Sequence, residues 1–218
     1  MNGIIILAID CSNRWTSLGL SVQGRSIGLA LDLGRKQAAE LPGEVEKLLA
    51  REGLVLDQLT HIGVTVGPGY FTGLRIGMAY AAALAMALKA DVIPLSSLDA
   101  VLRSVPNWRT GVKVPLIAAS RERVFSSAWR DGTLILPEKE RSRDELMCEL
   151  GENAELAELW AVEDPRLFAA SDRDDVHFLK SPCGAAAAEL ALESAGKSIK
   201  PDSLRARYLR EPGLGRSL

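Results

Sequence analysis

The stretch VGPGYFTGLRIGMAYAAALAMAL, Val66–Leu88, governs how the rest of the chain is read. It starts at the end of a β-branched run, Ile62 to Val66, turns through Gly67-Pro68-Gly69, and enters an alanine-rich segment from Thr72 onward. The spacing predicts a strand, a glycine-rich turn and a long helix. Such a turn can present backbone N–H groups to an anion at a positive helix end, or it can simply bend the chain, with Thr72 as the N-cap. It is neither a Walker loop, since no GK[ST] follows, nor a GxGxxG pattern. The helix carries the stronger signal. Gly73, Gly77, Ala81 and Ala85 form a smooth stripe, Leu74, Ile76, Met78, Tyr80, Leu84 and Leu88 cover much of the rest, and no charge falls between Ile76 and Leu88. A helix apolar all round must be buried all round, yet one lying on the sheet of a two-layer unit keeps an outer face. Another chain is expected to cover that face, the small stripe allowing close approach; cover by the chain's own second half is the alternative.

Working outward, Ile4 to Ile9 reads as a strand buried on both faces, and Ser17 to Val22 and Ser26 to Leu33 complete an antiparallel meander. Leu41, Val45, Leu48 and Leu49 recur at helical spacing up to Gly53, with Pro42 either in the first turn or kinking the helix. Val92 to Leu95 is a further strand and Ser97 to about Ser104 a short helix. This order describes a mixed sheet with helices on its faces. SVPNWRTG reads as a linker, so residues 1–104 and 105–218 are expected to form two subdomains. In the second, Val114 to Ala119, Val124 to Arg130 and Thr133 to Leu136 read as strands, and Asp144 to Leu150 and Ala185 to Ser194 as helices. No fixed-period repeat is visible.

The 218 residues are 47% hydrophobic and 25% charged, with a net charge of -2, so a strongly basic nucleic-acid binder is not indicated. Cys11, Cys148 and Cys183 form no CxxC pair, which suggests neither a disulfide framework nor a zinc site and fits the cytoplasm. Ile4 to Ile9 is too short for a signal sequence and Ile76 to Leu88 too short for a membrane span. His61 and His177 cannot form an HExxH pair, and no GxSxG elbow occurs, so no metal site or hydrolase nucleophile is indicated. Asp10 with Ser12, Asn13, Thr16 and Ser17 could hold a hydrated metal ion or a phosphate, or could close a hairpin through an Asx turn. Asp10, Ser12, Gly67, Gly69 and Thr72 are thus the candidate nucleotide or phosphate residues. Arg205, Arg207, Arg210 and Arg216 form a basic end that could meet RNA or a partner's acids.

Three segments, Ile4–Arg25 (IIILAIDCSNRWTSLGLSVQGR), His61–Val101 (HIGVTVGPGYFTGLRIGMAYAAALAMALKADVIPLSSLDAV) and RYLREP near the end, resemble the TsaB, or YeaZ, family. The match covers about the first hundred residues firmly and the second half loosely. The resemblance implies an α/β fold of two subdomains, the actin-like, sugar-kinase-like ATPase architecture with ribonuclease-H-like mixed sheets flanked by helices. It also implies a non-catalytic dimerising subunit for making threonylcarbamoyladenosine in tRNA. Such a subunit pairs with the catalytic paralogue TsaD through its first two helices, is joined by the ATPase TsaE, and meets tRNA only through the complex. It involves no membrane. The expected contacts are Leu41, Val45, Leu48, Leu74, Gly77, Met78, Tyr80, Ala81, Leu84, Ala85 and Leu88, and the same surface would form a homodimer when the chain is alone.

The sequence also departs from the family. Lys36, Gln37 and Ala38 stand where a His-Ser-Glu run is common, Ala118, Ala119 and Ser120 replace an Asp-Ala-Arg segment, and Tyr70 stands where serine is usual. No DxGG or paired glycine follows Gly111, so half of a nucleotide clamp is absent. No resident cofactor is expected, and ATP or ADP would bind only at a site that partners complete. The competing readings are an independent ATPase or phosphotransferase using Asp10 and the glycine loop, and a peptidase.

Overall fold

The computed structural model describes residues 3–120, 122–162 and 176–209. Arg210, Arg216 and the acidic residues Asp172, Asp174 and Asp175 lie outside the described residues. The first sheet comprises β1 (Ile5–Asp10), β2 (Thr16–Val22), β3 (Arg25–Leu31), β4 (His61–Gly67) and β5 (Asp91–Ser96), in the order β3-β2-β1-β4-β5. β1 pairs antiparallel with β2 and parallel with β4, so the meander and the crossover strands share one mixed sheet.

β1 is apolar from Ile5 to Ile9 because it is covered on both sides. Leu7 and Ile9 enter a core with α1 (Gln37–Arg51) and α2 (Phe71–Leu88), whereas Ile6 and Ala8 enter one with α5 (Gly184–Glu193). Period-two alternation thus feeds two cores from one strand. α1 begins at Gln37, earlier than its first leucine, which puts Pro42 inside the helix. Proline has no N–H, so the turn bond to Ala38 is unmade.

The second sheet comprises β6 (Val112–Ala118), β7 (Arg123–Arg130), β8 (Thr133–Ser142), β9 (Ala157–Ala161) and β10 (Val176–Phe178), in the order β10-β9-β6-β7-β8. Substituting β6 for β1, β7 for β2 and so on gives the order of the first sheet, with the same parallel and antiparallel pairs. One plan is used twice, with no repeat in sequence to announce it. α4 (Arg143–Leu150) leads from β8 to β9 as α1 leads from β3 to β4. β8 runs on past Leu136 because its register shifts opposite Ser126 and Ala128, and Pro137 is accommodated at this irregularity on an edge strand.

Two helices cross between the sheets on either side of residue 104. α3 (Ser97–Arg103) leaves the first sheet and buries Leu98 and Val101 with Ile117 and Phe125 of the second. α5 leaves the second sheet and packs Ala187, Ala188, Leu190 and Ala191 on the first. Each unit thus closes the other's sheet. The exchange also gives the first sheet helices on both faces.

Candidate functional site

α2 lies on the sheet through Gly73, Leu74, Gly77, Ala81, Leu84 and Ala85, all buried. A Cβ at Gly73 would overlap the Cys11 carbonyl oxygen, and one at Gly77 would lie 3.2 Å from the Cys11 sulfur. The small stripe therefore admits the chain's own β1 rather than a partner helix. Leu41, Val45, Leu48, Leu74, Gly77, Ala81, Leu84 and Ala85, offered as contacts, belong to this interior. They cannot meet a partner without opening the core. Of the expected contacts, Met78, Tyr80 and Leu88 remain half-buried. Burial, with Glu46 of α1 nearby, pushes the Tyr80 hydroxyl up.

The helix turns about 100° per residue, so positions two along from the glycine stripe lie about 200° away. Phe71, Arg75, Ala79 and Ala83 occupy that outer line and are exposed, as is Met86 one turn on, at 66%. Sequence reasoning missed this line because it judged the helix by total apolarity. The signal was present in the glycines, since a sheet backbone also asks a helix for small residues. The 18-residue helix has the length and apolarity of a membrane span, but its glycine face is spent on β1 and β4.

The crevice at the carboxyl ends of β1, β4 and β5 holds the other candidates. Asp10 is 1% exposed; its Oδ1 accepts from the Ser12 amide and from Thr65 Oγ1, each at 2.9 Å, and its Oδ2 is buried without a partner. Burial raises its carboxyl above the usual range, against those hydrogen bonds. Burial, with Asp10 beside it, also raises the Cys11 thiol. Ser12 accepts at its carbonyl from the Tyr70 amide at 2.7 Å, so the two loops are joined directly. A Cβ at Gly69 would overlap the Ser12 carbonyl, and one at Gly67 (φ +124°) that of Arg207. The glycines that could have cradled a phosphate face protein backbone. Thr72 is exposed and does not cap the helix, which starts at Phe71 after Tyr70 with no side-chain cap. Among the described residues no three His, Cys, Asp or Glu side chains converge as metal ligands.

A second polar cluster lies nearby. Glu138 of β8 accepts from Ser96 Oγ and pairs with Arg207 at 2.7 Å, an approach without hydrogen-bond alignment and so an ion pair only. The Asp99 carboxyl beside it is pushed up to about 6 by burial and by Glu138, against the pull of Arg103, Arg207 and Lys197.

Two five-stranded sheets of identical order, joined by exchanged helices, define the two-unit actin-like, ribonuclease-H-like class. A crystal structure of an uncharacterized protein with similarity to peptidase YeaZ from Pseudomonas aeruginosa has this fold. It superposes with a TM-score of 0.79 at 22% identity, covering 95% of this chain and 100% of that one. The sequence model of the family described as TsaD, tRNA N6-adenosine threonylcarbamoyltransferase, matches residues 32–152, more than half of the chain. The chain belongs to that family, on its TsaB (YeaZ) side. The tRNA threonylcarbamoyladenosine biosynthesis protein TsaB of Haemophilus influenzae is 31% identical over 48% of this chain and 44% of its own length. The protein of the same name from Buchnera aphidicola is 26% identical over 60% of this chain and 63% of its own. The matched segments thus span less than two thirds of either relative.

Proposed function

We propose that the chain is a non-catalytic docking subunit of the cytoplasmic machinery that makes threonylcarbamoyladenosine in tRNA. It binds a TsaD-like catalytic subunit through the outer face of α1 and α2, with a TsaE-like ATPase joining the pair and tRNA held through the complex. Alone, it pairs with itself through the same face. The observation that carries this reading is the outer line of α2, with Phe71 39% exposed and Met86 66% exposed on a helix whose other face is already packed. The names of its relatives support the pathway, and the engagement of Asp10, Gly67 and Gly69 by the chain itself supports a role without chemistry.

The test is sedimentation of the full chain, alone and mixed with a TsaD-like subunit, for wild type, Ala83→Arg and Met86→Glu. Charge on the outer line should abolish both associations while the thermal midpoint stays put. Unchanged sedimentation in both variants would remove α2 from the interface.

A further inference from the structure

Beyond α5 the chain returns along the first sheet, where Ile199 exchanges backbone hydrogen bonds with Val92 at 2.8 and 2.9 Å and Lys200 pairs with Asp91 at 2.7 Å. From Leu204 to Leu209 it has neither helix nor strand. This segment crosses the ends of the parallel strands. The Arg207 amide donates to the Val66 carbonyl at 2.7 Å, and the Arg207 carbonyl lies against the bare Cα of Gly67. The Arg207 guanidinium reaches Glu138 on the other unit, the Tyr208 ring lies 5.5 Å from Phe71, and Leu209 packs with Leu98, Val101 and Ile117 between the units.

In open α/β sheets the carboxyl ends of parallel strands form the crevice that ligands enter. Here the chain's own segment lies across it. Gly67 makes the crossing possible, because any side chain there would strike Arg207. We propose that Leu204–Leu209 is a releasable strap that closes this crevice from within, with the Glu138–Arg207 ion pair as its latch. The idea stands apart from the docking role and does not need it.

Three observations support local release. The segment is tied to the sheet by the Arg207 amide rather than by a ladder, and segments held this way open at low free-energy cost. The latch is asymmetric: the Glu138 side chain is 9% exposed while that of Arg207 is 53% exposed, so the strap's own partner is the one already facing water. Glu138 keeps the Ser96 hydroxyl on Oε1 when Arg207 leaves, so one of its two carboxylate oxygens stays hydrogen-bonded. Charge adds to the apolar and backbone contacts in holding the strap down. Glu138 and Asp99 crowd two carboxyls together, and Arg207 faces both, alongside Arg103 and Lys197 near Asp99.

Hydrogen exchange on the full chain tests this with Arg207→Gln, Arg207→Lys and Tyr208→Ala. In Arg207→Gln and Tyr208→Ala, amides of 205–209 should exchange about tenfold faster, and those of 67–72 should speed up with them while β1 and β2 are unchanged. Arg207→Lys should recover most of the protection. Faster exchange in 205–209 alone would show that the segment covers nothing. A rise throughout the first sheet would show that it is integral to the fold, and no change in Arg207→Gln would remove the latch; each result overturns the proposal.

Discussion

Gly19 of β2 and Gly28 of β3 stand directly opposite each other in the antiparallel hairpin, and the first turn of α5 rests on the bare backbone they leave. A Cβ at Gly19 would overlap the Gly184 carbonyl, and one at Gly28 the Ala185 amide. Both obstacles are backbone, which cannot swing aside as a side chain would.

Gly28→Ala should therefore destabilise the chain by roughly 3 kcal/mol, through displacement of α5 from the sheet. Gly43→Ala is the control. Gly43 lies in α1 with nothing within 4 Å of a new Cβ, so alanine there should stabilise by about 0.5–1 kcal/mol. Denaturant titration of both variants checks the pair.

Ala81→Arg should unfold the subunit rather than merely block its associations. Ala81 is fully buried against the sheet, and an unpaired guanidinium there costs on the order of several kcal/mol. Thermal unfolding should show a broad or absent transition for this variant and a near-native midpoint for Ala83→Arg.

Asp99 gives a pH signature. Its folded carboxyl titrates at about 6, above its ordinary value, so between those limits the folded chain keeps a proton that the unfolded chain has lost. The stability from the neutral carboxyl is full at low pH and is lost as pH rises through about 6. Asp99→Asn should accordingly be nearly neutral near pH 4 and stabilising by about 1 kcal/mol near pH 7.5, a figure kept low because the group is only partly buried. Stability measured across that range should show a flatter slope for the variant.

Asp10 should behave as a structural acceptor. Asp10→Ala removes the partner of the Ser12 amide and the Thr65 hydroxyl inside the protein, and should cost about 2–3 kcal/mol. Asp10→Asn keeps an oxygen in place and should cost less. Burial raises the Asp10 carboxyl, so the wild type gains on the asparagine variant as pH falls and its own acid becomes neutral. Chemical denaturation at two pH values resolves the order of the three chains.

Much of the architecture was legible along the chain. The strand expected over Ile4 to Ile9 and covered on both faces is found from Ile5, Ile4 being exposed ahead of it, and the turn at Gly67 to Gly69 separates strand from helix as expected. Where the pattern thinned, the reason was local. β9 and β10 are only 5 and 3 residues long, and their half-buried positions give no clean alternation. The continuation of β8 was hidden by Pro137, which reads as a stop unless the partner strand's bulge is known.

The candidate site was legible in kind but not in direction. The sequence by itself determined that the helix after Arg75 is apolar on every side and that a stripe of small residues runs along it, because composition and helical spacing are properties of the chain alone. Only the tertiary structure decided which side is spent. Cys11, just past the end of β1, presents its backbone and thiol to Gly73 and Gly77, so the small stripe turns inward and Phe71, Arg75, Ala79, Ala83 and Met86 are left outside. The same holds at Gly67. Its need for a bare Cα was written in the sequence, but a phosphate and a returning backbone carbonyl ask for the same emptiness, and only the path of residues 204–209 tells them apart.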